Sequence, residues 1–170
     1  MDMSLIIGNV VTLFATAADT LSSTQKTAKR MLWVQSLGQL FYGIATFVLG
    51  GYSGAVQNAV SILRNLVAIK NIASPLVEWF LLGLAVVLGL VFNNLGFMGL
   101  LPIIANVQYT LVIFRYKNDE QVLKFSFLIL VILYVIFDVV IYNFVGVILN
   151  LVIAITTASV LIKNRASKKA

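Results

Sequence analysis

Two asparagines in apolar surroundings carry the first sign of chemistry. Asn58 and Asn150 stand 92 residues apart, and the same spacing carries Tyr42 onto Tyr134 and Gly54 onto Gly146. At a spacing of 97, Ile6-Ile7-Gly8-Asn9-Val10 matches Ile103-Ile104-Ala105-Asn106-Val107. Amides and phenols donate and accept hydrogen bonds without ionising near neutral pH, so they suit holding a small polar solute better than transferring its protons. Three charged residues join them inside apolar runs. Arg64 either attracts an acidic group or snorkels along its stem to the nearby interface. Asp19 is a counter-charge to Arg64, and Asp138 is solvated, hydrogen-bonded or a proton-coupling carboxylate. Pro102, read in the interior of its segment, removes a backbone hydrogen bond and supplies a hinge near Asn106.

The chain has no His and no Cys. Disulfides, thiol nucleophiles, imidazole bases and His or Cys metal ligation are therefore excluded, and no cofactor or metal is expected. There is no phosphate loop and no Ser/His/Asp constellation. Asp19 and Asp138 are expected near opposite membrane faces, too far apart for a two-carboxylate site, so the chain is not expected to be an enzyme.

The elements that position these side chains follow from composition. Of 170 residues, 61% are apolar and 11% charged, and mean hydropathy is +1.01. A soluble domain has about 25% charged residues, so this chain lacks the polar surface to coat a water-soluble globule and is expected in a lipid bilayer. Seven apolar runs span 4–21, 31–50, 55–69, 76–92, 97–114, 125–142 and 145–162. Their lengths suit helices of about 17–25 residues, except that the third is short unless Ser53, Gly54 and Lys70 are added. Continuous apolarity without alternation argues against barrel strands.

Basic residues sort the loops. Lys26, Lys29, Arg30, Lys70, Arg115, Lys117, Lys124, Lys163, Arg165, Lys168 and Lys169 flank alternate connections, while Gly51-Tyr52-Ser53-Gly54, Asn93-Asn94-Leu95-Gly96 and Asn143-Phe144 are uncharged. The positive-inside rule then gives seven crossings, N-terminus outside and C-terminus cytoplasmic. The basic residues mark topology, and no nucleic-acid partner is expected.

Segments one to three resemble five to seven, with segment four as an extra crossing. That predicts an all-α polytopic membrane protein of two parallel three-helix bundles joined by a linker helix: 1–71, 72–94 and 95–164, then a basic cytoplasmic tail at 165–170. Most segments carry one polar stripe, such as Asn9, Thr12, Thr16 and Asp19, or Gln35, Gln39, Tyr42 and Thr46. Such stripes either hold helices together or line a hydrated cavity. Packing is the reading for Gln35 and Gln39, and both stay open for Asn58 and Asn150.

Phe47-Val48-Leu49-Gly50-Gly51-Tyr52-Ser53-Gly54, running through Asn58 to Arg64-Asn65-Leu66, resembles the bacterial inner-membrane family YgjV, as does Gly99-Leu100-Leu101-Pro102-Ile103-Ile104 running on to Phe114-Arg115. The resemblance implies a multi-pass protein of the bacterial cytoplasmic membrane and no particular substrate. More distantly, three helices, a linker and three helices is similar to the SWEET and PQ-loop transporters. Those bind substrate between bundles through an Asn on the third and seventh helices, the places of Asn58 and Asn150. The Pro-Gln dipeptide is absent here, and Pro102 alone stands where that family has a set of prolines.

The expected function is a small-solute transporter or facilitator working by alternating access. Asn58, Asn150, Tyr42, Tyr134, Asn9, Asn106 and Arg64 would face a polar or weakly anionic metabolite, Asp19 and Asp138 would couple, and Pro102 would bend. The alternatives are a substrate-binding subunit of a larger transport complex and a non-transporting structural or assembly protein. The expected partners are the lipid bilayer and a small solute, with self-association into a homo-oligomer left open.

Overall fold

The computed structural model describes residues 2–72, 74–116 and 118–167, with side chains described to residue 164. Lys117 and the final residues of the expected tail lie outside the described residues. All regular structure among them is helical: α1 (Met3–Ser23), α2 (Ala28–Val48), α3 (Tyr52–Ile69), α4 (Pro75–Val91), a short 3-10 turn (Met98–Leu100), α5 (Leu101–Tyr116), α6 (Glu120–Val140) and α7 (Phe144–Ser167). Each expected segment is one helix, except that the fifth begins with the 3-10 turn before α5. The third gains Tyr52, Ser53 and Gly54 at its start, which brings it to 18 residues.

Local chemistry sets several boundaries. Asp2, Thr27, Ser74 and Asp119 accept hydrogen bonds from backbone N–H groups in the first turns of α1, α2, α4 and α6. Pro75 opens α4, where its missing N–H costs nothing. Pro102 corrects the sequence reading for the same reason. It is the second residue of α5, just after the 3-10 turn, and therefore does not break an interior hydrogen bond.

The turn joining α2 to α3 recurs between α6 and α7. Gly50 and Tyr142 both have positive φ, 78° and 57°. Gly51 N–H donates to the Thr46 carbonyl at 2.8 Å, and Asn143 N–H donates to the Asp138 carbonyl at 2.9 Å. The bonds Leu49 to Ala45 and Ala55 to Gly51 reappear as Ile141 to Phe137 and Val147 to Asn143. Every pair is separated by 92 residues, the spacing of the Asn and Tyr matches.

Five elements are long and apolar enough to cross a membrane: α1, α2, the 3-10 turn with α5, α6 and α7. The 17-residue α4 is shorter, and α3 is the most polar. Consecutive helices pack on one another, α1 also packs on α7, and α3 packs on α5. The helices α1, α2, α3, α5, α6 and α7 thus follow each other around a closed ring, with α4 outside against α3 and α5. Gly89 permits that approach: a Cβ there would lie 2.5 Å from Gln57 Nε2 and 2.6 Å from Ile103. Gln57 Nε2 also donates to the Ala85 carbonyl at 2.7 Å, fixing α4 to α3.

Burial is inverted relative to a water-soluble globule. Leu13, Phe14, Leu37, Phe47, Trp79, Phe80 and Ile155 are exposed, while among the described residues 23 buried side chains are polar or charged and 23 are hydrophobic. An apolar exterior over a polar interior suits hydrocarbon as solvent, where each internal polar group must find its partner inside the protein.

Candidate functional site

Two polar layers and an apolar closure lie inside the ring, and α3 runs through all three. Gly54, Asn58 and Arg64 face inward at successive levels. At about 1.5 Å per residue, Gly54 is ~6 Å from Asn58 along the axis and Arg64 ~9 Å the other way.

The central layer encloses a cavity of about 10 Å³ lined by Asp19, Gln39, Tyr42, Asn58, Tyr134 and Asn150, with Leu130 and Val131. This volume admits about one water-sized body. Tyr42 Oη donates to Asn150 Oδ1 at 2.9 Å and lies 3.1 Å from Thr16 Oγ1. Asn150 Nδ2 donates to Asp138 Oδ2 at 2.7 Å. Asn143 Nδ2 donates to Asp138 Oδ1 at 2.9 Å, while its own Oδ1 accepts from Thr12 Oγ1 and from Gly146 N–H. Asp138 is fully buried with an amide donor on each oxygen.

The other half of this layer is unsatisfied. Asp19 Oδ1, Gln39 Oε1 and Asn58 Nδ2 are buried without a hydrogen-bond partner, and Tyr134 Oη makes none among the described residues. The 92-residue spacing locates the difference between the asparagines. Asn150 Nδ2 has Asp138, but the residue 92 positions before Asp138 is Thr46. The Thr46 hydroxyl donates to its own helix, at 2.7 Å to the Tyr42 carbonyl, and offers Asn58 nothing.

On the side of the layer toward residue 70 of α3, Arg64 is fully buried. Its Nε and Nη2 donate to Asn65 Oδ1 at 3.1 and 3.0 Å, Nη1 donates to Asn106 Oδ1, and the guanidinium carbon lies 4.8 Å from the Tyr109 ring centroid. Tyr109 Oη donates to Gln35 Oε1 at 3.0 Å, and Asn106 Nδ2 donates to Gln57 Oε1 at 2.7 Å. Among the described residues Arg64 has no acidic partner, and being fully buried it does not snorkel, which corrects that expectation. Beyond this layer, toward the basic end, opens a vestibule of about 400 Å³ lined by Lys26, Lys29, Leu32, Ala68 and Glu120 among others.

On the opposite side Phe137 closes the ring against α3. A Cβ on Gly54 would lie 2.6 Å from Phe137 Cε1, and one on Gly51 2.9 Å from Phe137 Cζ. Both glycines therefore serve as seats for that ring.

Of the sequence-derived site residues, Asn58, Asn150, Tyr42, Tyr134 and Asp19 share the cavity. Asp138 reaches it through Asn150. Arg64 and Asn106 belong to the neighbouring layer. Asn9 stands apart, its Oδ1 accepting from Val145 N–H at 2.9 Å at the start of α7. Gln39, expected to pack, faces the cavity with its carbonyl free, and its position one turn before Tyr42 is the sequence signal for that. Leu130 and Val131 had none, being indistinguishable from other core aliphatics.

Neither a curated protein nor a solved structure matches the chain. The model of the family Imp-YgjV, described as a bacterial inner membrane protein, matches residues 6–168. With nearly its whole length covered, and with helices apolar enough to cross a bilayer, the chain belongs to the Imp-YgjV family of multi-pass bacterial inner membrane proteins.

Proposed function

We propose that this protein is a small-solute carrier whose binding site is the central cavity at the seam of two three-helix repeats. The observation that carries the reading is the convergence there of the repeat-related pairs Asn58/Asn150 and Tyr42/Tyr134. The identical α2–α3 and α6–α7 turns support the repeat. So does the ring order, which maps onto itself when α1, α2 and α3 are exchanged for α5, α6 and α7. In this reading α4 is the linker crossing that lets both repeats point the same way, with N-terminus outside and C-terminus cytoplasmic.

The pairs are unequal, and that inequality suits a carrier. Tyr42 and Asn150 hold each other, while Tyr134 and Asn58 keep free hydrogen-bonding groups for a solute. At about 10 Å³ the cavity is occluded, between Phe137 on Gly54 and the Arg64–Tyr109–Gln35 layer. Rocking one repeat against the other opens one layer at a time. The basic vestibule beyond Arg64 favours a polar or weakly anionic metabolite.

Flux of a metabolite panel into proteoliposomes tests this. Asn58→Ala and Asn150→Ala are each expected to lower uptake at least tenfold, and unchanged uptake in both removes the site. The small cavity equally favours a second reading, a structural membrane protein with a packed centre, in which no solute crosses at all.

A further inference from the structure

The two buried carboxylates of the ring are treated in opposite ways. Asp138 receives an amide donor on each oxygen. Asp19 is just as enclosed, at 3% exposure, and neither of its side-chain oxygens receives a hydrogen bond or an ion-pair partner among the described residues. It is not merely stranded by poor packing. Gly38 on α2 leaves the space its Oδ1 occupies, so the sequence makes room for the carboxylate at this point. The two buried cations are engaged elsewhere, Arg64 by Asn65, Asn106 and Tyr109 and Lys124 by Glu120. A buried, unpaired carboxylate in a bilayer is unfavourable unless something neutralises it.

The groups beside Asp19 offer oxygen. Gln39 Oε1 is buried and free. Tyr42 Oη gives its proton to Asn150 and keeps a lone pair. Asn58 gains nothing from its Nδ2, which has no partner, so a half-turn of its amide presents oxygen at no loss of hydrogen bonding. One carboxylate with neutral amide and hydroxyl oxygens is too little charge for Ca²⁺ or Mg²⁺, which take six or more oxygens, commonly from several carboxylates or waters. A cavity of about 10 Å³ holds one body no larger than water.

We infer that the central cavity is a binding site for a single dehydrated Na⁺, coordinated by the Asp19 carboxylate, Gln39 Oε1, Tyr42 Oη and the Asn58 amide oxygen. The inference deepens the carrier reading and rests on it for its role: all four ligands come from α1, α2 and α3, so the ion braces the first repeat where it faces the seam and couples that repeat's packing to a sodium gradient. Bound Na⁺ neutralises Asp19 and ties α1 to α2 and α3, and its departure releases those helices and frees Asn58 to join Tyr134 in holding solute.

Binding of ²²Na⁺ to the purified protein in detergent tests it. The expected result is saturable binding of about one ion per chain, displaced by unlabelled Na⁺ but at least tenfold less well by K⁺ and not by choline. Asp19→Asn should abolish it, Gln39→Leu should weaken it at least tenfold, and Gly83→Ala, in open space on α4, should leave it unchanged. Binding no greater than to protein-free micelles overturns the inference, whatever the variants do. So does full retention in Asp19→Asn, or equal displacement by choline. The two readings fail separately. Uptake that is lost in Asn58→Ala without any ²²Na⁺ binding sinks the ion site alone. Saturable ²²Na⁺ binding with uptake unchanged in Asn58→Ala and Asn150→Ala sinks the solute site alone.

Discussion

Asn58 and Asn150 occupy equivalent places and hold different things. Asn150 bridges Tyr42 to Asp138, so Asn150→Ala leaves a buried phenol without its acceptor and a buried carboxylate short of a donor. Each orphaned group costs about 1–3 kcal/mol, and thermal or denaturant unfolding should register a loss in that range. Asn58 Nδ2 has no partner to orphan, so Asn58→Ala should cost less than about 1 kcal/mol even though it too lowers flux. Equal destabilisation by the two would contradict the asymmetry described here. The sequence revealed the pair, because Asn is rare in apolar helices and its spacing repeats with Tyr and Gly. The same spacing sets Thr46 against Asp138 but does not reveal that Thr46 leaves Asn58 without a partner. That contrast depends on which way a hydroxyl turns, and Thr46 turns back to its own helix.

Among the elements, α3 depends most on its neighbours. Its inward residues Gln57, Ser61 and Arg64 all bond Asn106 on α5. Asn106→Ala strands these donors and acceptors together, and a loss of at least ~2–3 kcal/mol in unfolding free energy is expected, larger than for Asn58→Ala. At the other end, Gly54→Ala drives a methyl group into Phe137. Overpacking of this kind costs about 1–3 kcal/mol, and adding Phe137→Leu should restore much of the loss in the same unfolding assay. The seven helices were legible because 17 or more apolar residues in succession leave few other structures in lipid. Two details were not. The helix register around Pro102 depends on the 3-10 turn before it, which no hydrophobic pattern records. The fate of Arg64 depends on Asn106 and Tyr109, which come from a helix some forty residues later and are brought beside it only by the α3–α5 packing.

At the scale of the whole molecule, the chain closes a ring through α1 against α7 and α3 against α5. Neither contact follows from hydropathy or loop charge, which fix crossings and orientation but not neighbours. The proposed repeat is consistent with both, since exchanging its halves exchanges one contact for the other. The central claim is that this ring has a wet seam between two moving halves, at Asn58 and Asn150. The absence of native cysteine allows a direct test. Single Asn58→Cys and Asn150→Cys variants, reconstituted in liposomes, would be exposed to a small water-soluble methanethiosulfonate reagent beside Leu90→Cys on the outward face of α4. A thiolate forms only where water reaches. The carrier account predicts modification at 58 and at 150 and none at 90; no modification at either asparagine position would contradict it.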